Sequence, residues 1–390
     1  VRIRITVHKF RPEVGGTELM AEMMAAAMAW KGHEVEVVTL RTGTSLSEER
    51  YPVDTGSLGS RPAATYRVRR LDFVGGPVRL PRGYWRVLAE PTDLLHVFGN
   101  RIWNSDLFLP IARWLPYPKV LTGQNFFQLH MNPNAVNSLY ARRYFPWAAS
   151  QVDAYVVQTV EEREQFRRFG YRGRIELIPH TVDVDEFPLD DELGRRFRTA
   201  HGLVGEPLLL SAGGYAPNKR MDRVIEGLAR ARSRWRLVIS GADWPGQRYD
   251  IASCRALARR RGVQVEYLGD GAPVPRSEMI AAFLACDAYV QGSSYEGYGG
   301  AIQEAMTVRR PFVAFETGAV PEFAAAGAGF AVRSEDEFAQ RLDELASSDE
   351  LRRSMGSAGR EDVLAHRSKT VVMDLYDRLF RELGPDAGPS

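Results

Sequence analysis

Three short stretches of the sequence hold residue types that do chemistry together. The densest is Glu296-Gly297-Tyr298-Gly299-Gly300-Ala301-Ile302-Gln303-Glu304-Ala305-Met306, which follows an apolar run ending near Gln291. Its spacing places Glu296 in a loop and Glu304 in the second turn of the next helix, up to about 12 Å apart at roughly 1.5 Å of rise per residue. Between the two acids the glycines expose backbone N–H groups at the positive end of that helix, where phosphate is stabilised. Carboxylates on either side of an anion site suit hydroxyl groups at both ends of one ligand, one acid binding those of a sugar and the other those of a ribose. The second stretch, Gly213-Gly214-Tyr215-Ala216-Pro217-Asn218-Lys219-Arg220, delivers two cations to a helix entrance. Cations there oppose the helix dipole unless an anion such as diphosphate lies between them and compensates. The third, Arg11-Pro12-Glu13-Val14-Gly15-Gly16-Thr17-Glu18, has a glycine pair that lets amides approach a ligand, but it is not a Gly-x-Gly-x-x-Gly dinucleotide fingerprint.

The elements that position these stretches alternate between strand and helix. The chain opens on a strand pattern (Val1, Ile3, Ile5, Val7), a glycine turn, a helix over 17–30 stopped at Gly32, and a strand over 34–40. Short apolar runs at 94–98, 120–121, 154–158 and 175–179 suit further strands of a parallel sheet. After a polar, acidic stretch at 180–190 that reads as a linker, the alternation restarts. Strands are expected over 208–212, 236–240, 263–268, 288–291, 311–315 and 329–332, and helices near 221–232, 252–261, 277–285, 300–308 and 370–383. The organisation predicted is an N-terminal domain over 1–180, a second over 181–368, and a closing helix and tail over 369–390. Both domains read as doubly wound α/β units, whose ligands bind outside the carboxyl ends of the strands, so the cleft between them is the expected site.

Composition narrows the classes. With 390 residues, 44% hydrophobic and 26% charged, the chain is long enough for two packed cores, and disordered, collagen-like and mucin-like readings are excluded. No apolar run reaches the length of a membrane helix; the nearest, Leu19 to Trp30, is broken by Glu22. No export segment precedes the first strand, and the two cysteines, Cys254 and Cys286, lack disulfide or metal-site spacing, so a reducing cytoplasm is the expectation. Residues 1–180 hold 24 Lys+Arg against 17 Asp+Glu, and the remainder 27 against 32. Part of that excess lies in 51–90, with Arg61, Arg67, Arg69, Arg70, Arg79, Arg82 and Arg86, a candidate surface for peripheral contact with an anionic membrane. The stretch Asn137 to Trp147 mixes aromatics with Arg142 and Arg143 and reads as an interfacial helix or as one packed on its own domain. No consecutive basic run indicates nucleic acid.

The double-glutamate stretch, together with Gly15-Gly16, Gly213 to Arg220, Gly318-Ala319-Val320-Pro321-Glu322 and Pro179-His180-Thr181-Val182-Asp183, resembles the retaining nucleotide-sugar glycosyltransferases of the GT-B type, especially family 4. The resemblance covers nearly the whole chain. It implies two Rossmann-like domains facing a central cleft, an acceptor-binding first domain, a donor-binding second domain, and a closing helix that crosses back to the first. Lys219 would neutralise the leaving diphosphate, Glu296 would hold donor-sugar hydroxyls and act in catalysis with Lys219, and Glu304 would hold the ribose. Gly15, Gly16, Gly214, Arg220, Gly297, Tyr298, Gly299 and Gly300 complete the implied donor contacts. No metal or cofactor is implied; Asp183-Val184-Asp185 spells an Asp-x-Asp but falls in the linker.

The sequence departs from the family at two places. The family's second phosphate-binding cation falls at Gly214, and Arg220 stands where the family has glycine; Arg220 is expected to supply the relocated charge. A histidine common near the donor sugar is replaced in Thr122-Gly123-Gln124-Asn125, which leaves Gln124 and Asn125 as acceptor-side candidates able to hydrogen-bond but not to carry a proton. The expected partners are a nucleoside-diphosphate sugar and an acceptor that is a polysaccharide, a lipid-linked sugar or a natural product. Gly269 to Pro275, offering Asp270 and backbone groups, is the candidate loop for the nucleotide base. A sugar-nucleotide epimerase and a non-catalytic nucleotide-sugar-binding subunit are the rival readings. A dehydrogenase is disfavoured because Leu40 and Arg41, not an acid, end the second strand.

Overall fold

The computed structural model describes residues 1–12, 16–43, 45–53, 64–75, 79–99, 103–123, 139–243 and 250–384. Two compact units emerge: one of Val1–Thr181 joined by the segment from Lys369, the other of Val182–Ser368.

In the first unit the strands are β1 (Arg2–Thr6), β2 (Glu34–Leu40), β3 (Glu48–Pro52), β4 (Thr65–Leu71), the small pair β5 (Phe73–Val74) and β6 (Leu80–Pro81), β7 (Leu94–Phe98), β8 (Lys119–Thr122), β9 (Ala154–Val157) and β10 (Ile175–Leu177). Eight of them form one sheet in the order β10-β9-β8-β7-β1-β2-β4-β3, parallel except for β3. The strands β7, β8 and β9 are mostly apolar because both faces are covered, while β1 alternates Arg and Ile yet buries Ile3, Arg4, Ile5 and Thr6. The helix Gly16–Trp30 is so rich in alanine and methionine that Met20, Ala21, Met24, Ala25, Ala27 and Met28 are all buried against the sheet. Lys369–Leu383 packs into the same core through Val372, Met373, Tyr376 and Phe380, with Lys31 paired to Asp374.

Strands β3 and β4 lie in a region the sequence suggested to be interrupted and basic. β4 alternates, with Tyr66, Val68 and Arg70 buried, and β2 runs beside it in the register Glu36↔Arg67 and Val38↔Arg69. Glu36 therefore takes Arg67 at 2.8 Å, Arg69 at 2.9 Å and Arg4 at 2.8 Å, while Arg70 pairs with Glu49. Three of the arginines proposed as a docking surface thus face carboxylates of their own sheet, and Arg79 lies over the Phe73 ring. In the aromatic stretch near Arg142, the described residues begin at Leu139; Tyr140 donates to Asp106 at 2.8 Å, Phe145 is buried, and Trp147 stays half exposed. No helix among the described residues is long and apolar enough to cross a membrane.

The second unit has the parallel strands β11 (Leu208–Ala212), β12 (Arg236–Ser240), β13 (Val265–Leu268), β14 (Ala288–Gln291), β15 (Phe312–Phe315) and β16 (Gly329–Val332) in the order β13-β12-β11-β14-β15-β16. Order reverses between β11 and β14, the switch point where ligands of such sheets bind. Local signals set the helices between the strands. Asp250 caps Ile251–Arg261 by accepting from the Ser253 amide at 2.9 Å, and Gly262, at φ +68°, ends it beyond three arginines. Both cysteines are buried, which pushes each thiol up to about 12 and keeps it inert.

Candidate active site

The loop after β11 and the loop after β14 meet at the switch point of the second unit. Asn218 knits them: its carbonyl accepts from the Ser294 amide at 2.9 Å and its side-chain amide donates to the Tyr295 carbonyl at 3.2 Å. That contact brings Lys219 Nζ to 2.7 Å from Glu296 Oε1, which also accepts from Ser293 Oγ at 2.6 Å. The Glu296 amide donates to Thr317 Oγ1 at 3.0 Å and fixes the acid from behind. Glu296 and Lys219 are largely covered, at 11% and 22% side-chain exposure, so their attraction is little screened by water.

The helix Gly300–Thr307 starts just beyond. Gly299 caps it in the left-handed region (φ +109°), and a side chain added at Gly300 would meet nothing within 4 Å, so open space lies at the helix entrance. Glu304 sits in its second turn. Both acids act on Tyr289: burial raises its phenol most, and the charges of Glu296 and Glu304 add to that, while its hydroxyl donates to the Ala212 carbonyl at 2.9 Å. The two carboxylates thus share one neighbourhood around the ends of β11 and β14.

Glu304 has a partner that sequence reasoning missed. Arg276, at the start of the helix Arg276–Ala285, donates to Glu304 Oε1 at 2.6 Å and to Glu186 Oε2 at 2.9 Å, with its guanidinium 4.8 Å from the centre of the Phe187 ring. Burial raises the Glu304 carboxyl above its ordinary value, and Arg276 pulls it partly back. Nothing local in the sequence marks Arg276, because its partners lie 28 and 90 residues away. Ser293, three residues before Glu296, and Asn218, beside Lys219, were within the motifs' reach but were not singled out.

The glycine loop explains its own departure from the family pattern. Gly214 has φ +81°, and a Cβ there would lie 2.7 Å from the Ala242 carbonyl oxygen; one on Gly241 would lie 2.1 Å from the Gly214 nitrogen. Two backbones touch, so an arginine at Gly214 has no room. Arg220 holds a left-handed conformation that favours glycine (φ 47°, ψ 51°), and its guanidinium grips Asp222 with two bonds of 2.8 Å. Its charge is near the loop but already shared.

Tyr298 is buried, its hydroxyl accepts from Arg367 at 2.6 Å, and its ring packs on Phe323, so its side chain belongs to the core and only its backbone borders the site. Gly297 lies between Glu296 and Tyr298 in the loop. Gly16 begins the helix Gly16–Trp30 with open space where a side chain would be. Gly15, Gln124 and Asn125 fall outside the described residues. Asp183 caps the Asp185 amide within a short turn, and Asp270 pairs with Arg255.

Residues 195–362 match the family model described as glycosyl transferases group 1, and residues 14–186 match that of glycosyltransferase family 4. The GDP-mannose-dependent alpha-(1-6)-phosphatidylinositol monomannoside mannosyltransferase of Mycobacterium tuberculosis is 30% identical over 224 residues, 54% of this chain and 57% of that protein. The chain therefore spans little more than half the length of that relative. Alpha-D-kanosaminyltransferase of Streptomyces kanamyceticus is 28% identical over 289 residues, 70% of this chain and 73% of its own. Among solved structures, sucrose-phosphate synthase from Thermosynechococcus elongatus has a TM-score of 0.79 at 18% identity over 98% of each chain. Anabaena HepE in complex with UDP has a TM-score of 0.77 at 16% identity over 98% of this chain and all of that one.

Proposed function

Because the chain belongs to the GT-B glycosyltransferases of the family 4 type, we propose that it moves a sugar from a nucleoside diphosphate to an acceptor hydroxyl with retention of anomeric configuration. The observation that carries the reading is the 2.7 Å pair of Lys219 and Glu296, set before the open N-terminus of the helix that bears Glu304. Diphosphate departure is the main barrier. Lys219 and the helix-end amides stabilise the charge that develops on the leaving oxygen, in a site where that stabilisation is already oriented. When diphosphate arrives, Lys219 turns part of its interaction from Glu296 to phosphate, and Glu296 Oε1 becomes free to accept from a sugar hydroxyl. Glu304 accepts from the ribose. This reading needs no metal, since Lys219 and the amides supply the positive charge, and the acceptor proton passes to a donor phosphate oxygen rather than to a side-chain base.

Relatives named as a GDP-mannose-dependent mannosyltransferase, a D-inositol 3-phosphate glycosyltransferase and an alpha-D-kanosaminyltransferase support a sugar donor and a hydroxyl acceptor. The test is calorimetric binding of UDP, GDP, ADP and TDP, followed by mass-spectrometric turnover of the matching sugar nucleotides with an acceptor panel. Binding of at least one nucleotide and formation of a glycosylated acceptor are expected. If none of the four binds, the reading fails; a rearranged free nucleotide sugar with no acceptor consumed would make the protein an epimerase, and binding without turnover a non-catalytic subunit.

A further inference from the structure

The second unit carries a cavity of about 770 Å³ at the amino ends of β11, β12 and β13, the end of the sheet away from Lys219 and Glu296. The five residues of β11 separate the two places by roughly 16 Å, at about 3.3 Å per residue. The volume suits a small molecule, and Leu228, Ala231 and Val263 make part of the wall apolar. The charge on the wall is one-sided. Arg232, Arg234, Arg236 and Arg261 line it against a single acid, Glu206. They do so in residues 181–390, where acids outnumber bases by 32 Asp+Glu to 27 Lys+Arg.

The segment that enters β12 holds these cations on a fixed backbone. Asp343 accepts from the amides of Arg232 and Ser233 at 2.9 and 2.8 Å, and from Ser233 Oγ at 2.6 Å. Ser233 Oγ in turn accepts from the indole of the buried Trp235 at 3.0 Å. With Ser233 and Trp235 drawn inward, Arg232 and Arg234 are left exposed. No carboxylate among the described residues pairs with either guanidinium. Arg261 is held by Glu226, both of whose oxygens lie 3.0 Å from its Nε. Arg236 is less well served: Glu206 stands 3.5 Å away, and the buried Nε has no acceptor. A buried donor without an acceptor is costly, so Arg236 gains from an anion that draws its guanidinium into the cavity. Neighbouring cations repel until an anion lies between them, and phosphate matches the guanidinium fork. Two unpaired arginines and one underpaired arginine call for more than one such group.

We propose that this cavity binds a small soluble molecule bearing more than one phosphate group, at a site separate from that of the nucleotide. The proposal does not depend on the transferase reading.

The test is calorimetry on the full chain at constant ionic strength, with fructose 1,6-bisphosphate, inorganic pyrophosphate, glucose 6-phosphate and glucose as probes. At least one of the first two should bind more tightly than glucose 6-phosphate, and glucose should not bind. Arg232→Gln, Arg234→Gln and Arg236→Met should each weaken that binding about two- to tenfold, with the fold checked by circular dichroism. Arg195→Gln, an exposed arginine outside the cavity, should leave it unchanged, as should Lys219→Ala. Failure of both fructose 1,6-bisphosphate and pyrophosphate to bind would overturn the proposal, as would equal binding of glucose. So would binding that falls in Lys219→Ala and not in the three arginine variants, because it would lie at the nucleotide loop. Sedimentation with phosphatidylglycerol vesicles supplies the last arm: vesicle binding lost in the arginine variants, with no soluble probe bound, would assign the face to a membrane and overturn the proposal.

Discussion

Arg276→Met isolates what the guanidinium does for Glu304. Methionine keeps an unbranched apolar stem over Phe187 and removes both donors, so packing changes little while the 2.6 Å bond to Glu304 and the 2.9 Å bond to Glu186 are lost. The Glu186 arm joins two side chains more than 40% exposed, and such pairs contribute on the order of 0 to 1 kcal/mol. The Glu304 arm ends on a carboxylate only 22% exposed, where losing a charge-assisted bond costs roughly 1.5 to 3 kcal/mol before discounting for the half-exposed arginine. A net of about 1 to 2 kcal/mol follows, or roughly a 5- to 30-fold weaker Kd for nucleoside diphosphate. Arg276 occupies Oε1 and leaves Oε2 to accept from a ribose hydroxyl, so the loss should fall on ribose recognition. Calorimetry with a ribonucleoside diphosphate and its 2′,3′-dideoxy analogue separates the effects: the wild type should prefer the ribose form, and the variant should lose most of that preference.

The pH dependence gives the same experiment a sign. Glu304 accepts best as a carboxylate, which is populated above its folded pKa; burial raises that pKa and Arg276 restrains it. As pH falls, ribose preference should disappear, and in Arg276→Met it should disappear at a higher pH than in the wild type. Equal or tighter binding by the variant would refute the argument, since it would mean that Arg276 competes with the ribose. A wild type that does not distinguish the two nucleotides would instead remove Glu304 from the ribose site.

Three further outcomes are expected. Lys219→Ala should lower kcat for sugar transfer by about 2 to 4 kcal/mol of activation free energy, with a smaller effect on nucleotide affinity, read by steady-state kinetics; equal loss in binding and rate would show uniform binding instead. Arg220→Ala should weaken nucleoside diphosphate binding more than a distant surface Arg→Ala control, because the bidentate hold on Asp222 must be partly given over to phosphate; an equal effect would leave Arg220 structural. Glu162 is pushed up to about 8 by burial, from 4.5, so its contribution to stability is full below about 4.5 and lost as pH rises through about 8. Glu162→Gln should remove that decline, a difference on the order of a few kcal/mol at the alkaline end by denaturant unfolding; parallel stability curves for the two proteins would contradict the burial argument.

Much of this architecture is written locally. The strand and helix alternation of the second unit is legible because each buried parallel strand must be a short apolar run, and β11, β12, β14 and β16 fall on the residues expected. The first unit was harder for a physical reason: β4 hides its strand alternation behind arginines whose counterions are supplied by β2 and β3, so the region looks like a charged, interrupted surface until the sheet is assembled. The surroundings of the Tyr298 side chain were hidden for a related reason, since an aromatic inside a glycine-rich motif gives no sign that Arg367, 69 residues later, will hold its hydroxyl in the core.

The residue types and their spacing therefore singled out the candidate groups, a lysine in a glycine-bearing loop and two acids bracketing a helix start, because helix periodicity and glycine freedom operate over a few residues. Only the tertiary structure decided how those groups are held. Lys219 meets Glu296 across 77 residues, Arg276 meets Glu304 across 28, and Ser233 meets Asp343 across 110. Electrostatic pairing in a folded chain depends on distance through space, and the sequence carries that distance only through the packing of every element between.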